Sequence, residues 1–172
     1  MIKFLVTLSV FICLNASANL VDDGIEAAKI GQNQKAFKLF IQACENGVAQ
    51  GCHYSAQAYN MGKVTPRSLE DARKYFTKAC NLGLIESCMV VARSYYKGEG
   101  VKQDYTKAKE FLVKSCNGAD AEGCHLSALI YELGQGTPRD TTRALNYYKM
   151  GCELDNKTSC DYYKQLEHAT KH

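Results

Sequence analysis

The sequence predicts an all-α fold, a solenoid of antiparallel helix pairs. Three observations carry this: cysteine pairs at a fixed interval, alanines and aromatics repeating in phase with them, and glycine turns between stretches of helical spacing. The chain has 172 residues, enough for one domain or a single repeat array with a sizeable core. With 21 basic against 18 acidic side chains, scattered rather than clustered, it has no basic stripe to attract nucleic acid. Two prolines and no long polar tract leave little room for a disordered linker.

Residues 1–18 form a separate element. Lys3 precedes an apolar run from Phe4 to Leu14, and Ala16-Ser17-Ala18 supplies an A-x-A cleavage site. This pattern predicts a signal peptide rather than a transmembrane helix. Val10-Phe11-Ile12 before Cys13 lacks the small residues of a lipoprotein signal. The mature chain, residues 19–172, is then expected to be exported, periplasmic or secreted, with no membrane insertion once the leader is removed. Nine cysteines, of which Cys13 lies in the leader, leave eight in an oxidising compartment, where disulfides are the default.

Those eight fall at Cys44 and Cys52, Cys80 and Cys88, Cys116 and Cys124, and Cys152 and Cys160, four C-x7-C pairs with a period of 36. Eight positions before each first cysteine stands Ala36, Ala72, Ala108 or Ala144. Phe40, Phe76, Leu112 or Tyr148 follows four residues on, beside Leu39, Tyr75, Phe111 or Tyr147. This spacing places small and large apolar residues on one helix face. Past each second cysteine a helix carries Ala56, Ala92 or Ala128 and then Tyr59, Tyr95 or Tyr131. Gly62, Gly98 and Gly134 suit a left-handed helix end, and Ser68, Asp104 and Asp140 suit N-caps. The pattern predicts about nine helices, alternating lengths of about ten and about fourteen residues. In the last unit Lys164 and Glu167 replace the alanine and tyrosine, as a solvent-facing C-terminal capping helix requires.

In an up-and-down array the end of one helix lies near the start of the next, which brings the two cysteines of each C-x7-C pair together. Pairing Cys52 with Cys80 across a hairpin would strand Cys44 and Cys160, so only the C-x7-C scheme uses all eight. In the chain-entropy account, closing a loop of about nine residues stabilises by roughly 2.6 kcal/mol. A zinc site is disfavoured because His53 and His125, which follow second cysteines, lie two repeats apart, and tetrahedral sites use closer ligand pairs. No metal or other cofactor is expected.

Gly98-Glu99-Gly100-Val101, followed by Asp104 and Lys107-Ala108, resembles the turn and second helix of Sel-1-like repeats, which are related to tetratricopeptide repeats. The C-x7-C pairs at a 36-residue period are similar to those of the secreted Helicobacter cysteine-rich proteins. The similarity covers nearly the whole mature chain, in about four repeats, although Gly62-Lys63-Val64 departs from the usual glycine-x-glycine turn. It implies a right-handed solenoid and an exported protein. Several members of that branch carry penicillin-binding or slow β-lactamase assignments.

Serine enzymes that recognise penicillin use S-x-x-K, S-x-N and K-T-G elements. The corresponding stretches are Ser94-Tyr95-Tyr96-Lys97, Ser115-Cys116-Asn117 and Lys157-Thr158-Ser159. About one S-x-x-K match arises by chance in a chain of this composition. The third element lacks its glycine, and Ser94 falls late in a helix with no sheet beside it. Ser94 and Lys97 stand as the catalytic candidates of the alternative reading, a β-lactam-binding protein or weak β-lactamase acting on β-lactams or cell-wall peptides.

The leading expectation is a monomeric scaffold that binds a peptide or protein on its concave face. Aligning Ala56 and Tyr59 with the small residue and tyrosine of tetratricopeptide helices places His53, Gln57, Asn60 and Met61 on that side. The next repeats give Met89, Arg93, Tyr96 and Lys97, then His125, Leu129, Glu132 and Leu133. Gln57, Asn60, Arg93, Tyr96, Leu129 and Glu132 are the predicted binding residues, a mixed surface suited to an extended peptide.

Overall fold

The computed structural model describes residues 19–171, so the predicted signal peptide lies outside the described residues. The chain divides into two compact units, one ending at Leu84 and the other beginning at Ile85. The first holds α1 (residues 19–29), α2 (Asn33–Glu45), α3 (Ala49–Met61) and α4 (Leu69–Asn81). The second holds α5 (Ile85–Lys97), α6 (Tyr105–Asn117), α7 (Ala121–Leu133), α8 (Thr141–Glu153) and α9 (Lys157–Thr170). Among the described residues there is no strand. Consecutive helices pack on one another within each unit.

The helix boundaries follow local chemistry. The side chains of Ser68, Asp104 and Asp140 accept hydrogen bonds from the amides of Asp71, Lys107 and Arg143, satisfying one orphan donor at the start of α4, α6 and α8. Just past the ends of α3, α5 and α7, Gly62, Gly98 and Gly134 have φ of 68°, 75° and 68°, a region that costs any side-chain-bearing residue. Each loop then closes on the helix it left: the amides of Ser68, Asp104 and Asp140 bond the carbonyls of Tyr59, Tyr95 and Tyr131.

The expected alternation of short and long helices is not found: α2 to α8 each span 13 residues. The helix after each junction begins three residues before its cysteine, at Ala49, Ile85 or Ala121, and so takes the cysteine into its first turn. The disulfides Cys44–Cys52, Cys116–Cys124 and Cys152–Cys160 therefore each join the last turn of one helix to the first turn of the next. Cys44–Cys52 and Cys116–Cys124 hold their Cα atoms 4.4 Å apart, and Cys152–Cys160 holds them 4.5 Å apart. Cys80 and Cys88 are also disulfide-bonded.

Such short separations, at the low end of disulfide geometry, bring backbones together that ordinary side chains would keep apart. The residue before each cysteine is accordingly small: Ala43, Ala79, Ser115 and Gly151 on one side, and Gly51, Ser87, Gly123 and Ser159 on the other. A Cβ on Gly51 would sit 2.5 Å from the Ala43 Cβ and 2.8 Å from the Cys44 nitrogen. A Cβ on Gly123 would sit 2.7 Å from that of Ser115. Sequence reasoning missed these positions, although they repeat with the same period as the cysteines.

Between the joined helices lies a three-residue turn whose middle residue has positive φ: Gly47 and Gly83, but also Ala119 at 63° and Asp155 at 64°. The amides of Gly47 and Ala119 bond the carbonyls of Cys44 and Cys116, which ties each turn to the helix end carrying the cysteine.

The core consists of the alanines and large residues read from the period. Ala36, Ala72, Ala108 and Ala144 are buried, as are Phe40, Phe76, Leu112 and Tyr148. Aromatics stack beside them, the half-buried Tyr59 and Tyr75 at 5.4 Å and the buried Tyr131 on the half-buried Tyr147 at 5.6 Å. α9 buries only Ser159.

Two substitutions test the junction. Gly51→Val should lower the unfolding free energy by about 2–3 kcal/mol, read from urea denaturation without reductant. Ala119→Gly should raise it by about 1 kcal/mol by relieving the left-handed backbone.

Candidate functional site

The predicted binding residues occupy two helix positions repeated every 36 residues: Gln57, Arg93 and Leu129, and three residues further on Asn60, Tyr96 and Glu132. They fall on α3, α5 and α7. Within the first unit Gln57 is half-buried, with Nε2 2.9 Å from His53 Nε2, while Asn60 is exposed and its carbonyl accepts from Arg67 Nε. His53, expected on the surface, is instead buried with its ring edge-on to Phe76 at 5.3 Å. Met89 is likewise buried, packed with Ala92, Ala108 and Leu112. Both follow a second cysteine directly, where the helix still lies against its neighbour, so the accessible face begins one turn later.

In the second unit the variable positions make contacts with other elements. The Arg93 guanidinium on α5 donates to both carboxylate oxygens of Glu122 on α7, in a pair with both side chains about half exposed. An exposed pair of this kind contributes roughly 0–1 kcal/mol. Tyr96 is half-buried, its ring edge-on to Tyr105 at 5.2 Å and its carbonyl accepting from Gln103 Nε2. Burial pushes its hydroxyl pKa up, with the Tyr105 charge adding to the effect. Leu129 packs beside Ala128, Tyr131, Ala144 and Tyr148.

Glu132 belongs to a polar cluster joining α7, α8 and α9. The fully buried Tyr148 donates its hydroxyl proton to Glu132 Oε2 at 2.6 Å, and its ring stacks on Tyr162 at 5.3 Å. His125 packs against both rings at 5.6 Å, with Nδ1 3.1 Å from the buried Ser159 hydroxyl oxygen. Burial drives the Tyr148 hydroxyl far above its ordinary range, and the bond to Glu132 adds to the shift. Burial lowers the His125 pKa, against the opposing pull of Glu122 and Glu132.

Ser94 and Lys97 do not form a catalytic pair. The Ser94 hydroxyl donates to the Val90 carbonyl at 3.0 Å, one turn back in α5, and Lys97 Nζ lies 3.7 Å from Glu99. Ser115 is buried and donates to Asp120, Cys116 is in its disulfide, and Ser159 is committed to the cluster around His125. The three motif stretches are distributed over junctions and helix faces, with no activated nucleophile among them. Among the described residues no group of His, Cys, Asp and Glu is arranged to hold a metal ion.

Stacked helix pairs of one repeated length, closed by glycine turns and tied by disulfides, define a helical repeat protein of the tetratricopeptide-related class. The Sel1 repeat matches residues 23–48, 49–84, 85–120 and 121–156, and the chain belongs to the Sel1 repeat family. Among solved structures it is similar to a Sel1 repeat protein from Oxalobacter formigenes, with a TM-score of 0.75 and 21% identity over 86% of this chain and 62% of that one. It also resembles c5321, a protective antigen of uropathogenic Escherichia coli, with a TM-score of 0.78 and 22% identity over 87% of this chain and 33% of that one. The chain thus spans less than two thirds of either relative. Cysteine-rich protein B of Helicobacter pylori matches with a TM-score of 0.55 and 25% identity, over 74% of this chain and 92% of that one. No curated protein matches the chain.

The lowered pKa of His125 means that the folded state takes up this proton less readily than the unfolded chain. Its contribution to stability is present above about pH 6.5, the ordinary histidine value, and is lost as the pH falls through the lower folded value. Between pH 7 and pH 5 the wild type should therefore lose stability relative to His125→Asn in paired urea titrations. Parallel curves would contradict this assignment.

Proposed function

We propose that the protein is an exported, disulfide-stapled Sel1 scaffold that binds a peptide or protein ligand on its concave face. The observation carrying this reading is the contrast along α3, α5 and α7. Ala56, Ala92 and Ala128 are the same at every turn and buried. The positions one residue later, Gln57, Arg93 and Leu129, and those at Asn60, Tyr96 and Glu132, change from repeat to repeat. A constant spine with variable hydrogen-bonding and apolar groups is how a repeat array reads an extended chain.

Several of these groups are already engaged, Arg93 with Glu122 and Glu132 with Tyr148. A ligand carboxylate would take the place of Glu122 on Arg93, exchanging one exposed ion pair for another at little cost. Asn60 has an exposed side chain able to bond a peptide backbone. The disulfides, characteristic of oxidising compartments, support export. Sel1 repeat proteins generally mediate protein–protein interaction, which supports a peptide or protein partner.

Selection of a displayed random-peptide library on the oxidised protein, compared with the Asn60→Ala/Arg93→Ala variant, tests the face. Enriched peptides should bind the wild type and lose at least about tenfold in affinity on the variant. Equal affinity for both would remove Asn60 and Arg93 from the binding surface.

A further inference from the structure

The first unit contains a cavity of 490 Å³ between α1, α2, α3 and the loop that follows α3. Its walls include Ile25, Ala36, Phe37 and Phe40, so its interior is apolar. At its edge stands Met61, 56% exposed, an apolar side chain left in water at the mouth of a hollow. Among the described residues, the titratable groups lining it are two lysines, Lys29 from α1 and Lys63 from the loop, and the half-buried tyrosine Tyr54, with no carboxylate. Lys29 pairs with the exposed Glu26, one turn back on its own helix, at 3.4 Å. Asn33 and Gln57 add amide groups to the wall.

We infer that this cavity binds an acidic peptide, taking a large apolar side chain among Ile25, Ala36, Phe37 and Phe40 while flanking Asp or Glu carboxylates meet Lys29 and Lys63. The inference rests on the peptide-binding reading above and specifies its ligand in the first unit. The apolar walls select a side chain of leucine or phenylalanine size, whose burial supplies affinity. The two lysines select the sign of the flanking charge, because a basic peptide would meet like charge with no acidic group in the lining to offset it. Lys29 would exchange Glu26 for the ligand carboxylate. Met61 lies against the bound side chain and loses its exposure.

The loop geometry holds the cavity open. Gln34 Nε2, in the first turn of α2, donates to the Val64 carbonyl at 2.6 Å, which fixes the loop bearing Lys63 against the start of that helix. The same tie recurs 72 residues later, where the Thr106 hydroxyl donates to the Gly136 carbonyl at 3.0 Å. The cation at the rim is thereby placed by a bond belonging to the repeat itself.

The test uses the oxidised protein and three fluorescent hexapeptides: Asp-Glu-Phe-Leu-Glu-Asp, its analogue with Gly-Gly at the centre, and its analogue with lysine in place of each acid. Only the first should bind, more weakly as salt rises from about 50 mM to about 500 mM. Lys29→Glu/Lys63→Glu should weaken it at least about tenfold, and Ala28→Trp, which fills the cavity from an exposed position, should abolish binding, while Lys102→Glu leaves it unchanged. Equal binding of the lysine peptide, indifference to the double charge reversal, or binding of decanoate in place of any peptide would overturn the inference. Asn60→Ala/Arg93→Ala separates the two proposals. Library peptides lost on that variant, with no binding of the acidic hexapeptide to the wild type, leave the scaffold reading standing without this ligand. Hexapeptide binding without a library response to the variant supports the cavity and removes the Asn60–Arg93 face.

Discussion

A disulfide that brings two helix ends to a Cα separation of 4.4 Å leaves room for little else, and most of the local architecture follows from that constraint. The residue preceding each cysteine must be small, the turn between the helices must reverse in three residues, and its middle residue must adopt a left-handed conformation. Where Ala119 and Asp155 occupy that middle position, the backbone bears a cost that glycine avoids at Gly47 and Gly83. The crosslink in turn limits the unfolded chain, which compensates for a core built largely from alanine. Helix pairs so fastened need no large apolar residue at the junction, and the bulky side chains collect midway along the helices.

Much of this fold was legible because a 36-residue period shows each structural role several times over. Alanine at 36, 72, 108 and 144 reads as a close helix contact, and glycine at 62, 98 and 134 as a helix end, since a role repeated in phase is not local accident. The helix starts were misplaced because a cysteine resembles a boundary when only its spacing is considered. The disulfide requires both cysteines to sit within helical turns, so each following helix begins three residues earlier. The small residues beside the cysteines escaped notice because Ala, Ser and Gly share no hydrophobic character, only volume.

The candidate surface was less legible, and the reason is geometric. Helical phase locates a side chain around its own axis but says nothing of what the neighbouring helix brings to it. His53 and Met89 share the phase of the exposed positions and are nevertheless covered by the adjoining helix. Arg93 meets Glu122, 29 residues away, and Glu132 meets Tyr148, 16 residues away. These partners depend on how far apart the helices lie along a shared axis, which no single helical period encodes. The S-x-x-K stretch fails for the complementary reason. Its serine and lysine have the right spacing, but Ser94 spends its proton on its own helix backbone and Lys97 turns to Glu99.

The paired small residues beside the disulfides also bear on how such an array can evolve. Gly51 faces Ala43, Gly123 faces Ser115 and Gly151 faces Ser159, so three of the four junctions combine one glycine with one residue bearing a side chain, and the glycine changes sides between the third and the fourth; Ala79 and Ser87 flank the remaining pair. A genetic crossover between the last two disulfide loops would join Ser115 to Ser159, two side chains where each of those junctions holds one, or Gly151 to Gly123, leaving a void. A crossover in the glycine turns between helix pairs keeps each matched junction whole. Duplication and loss of repeats should therefore leave their breakpoints in those turns, and the disulfide loops that contain a matched glycine should pass between descendants as indivisible blocks.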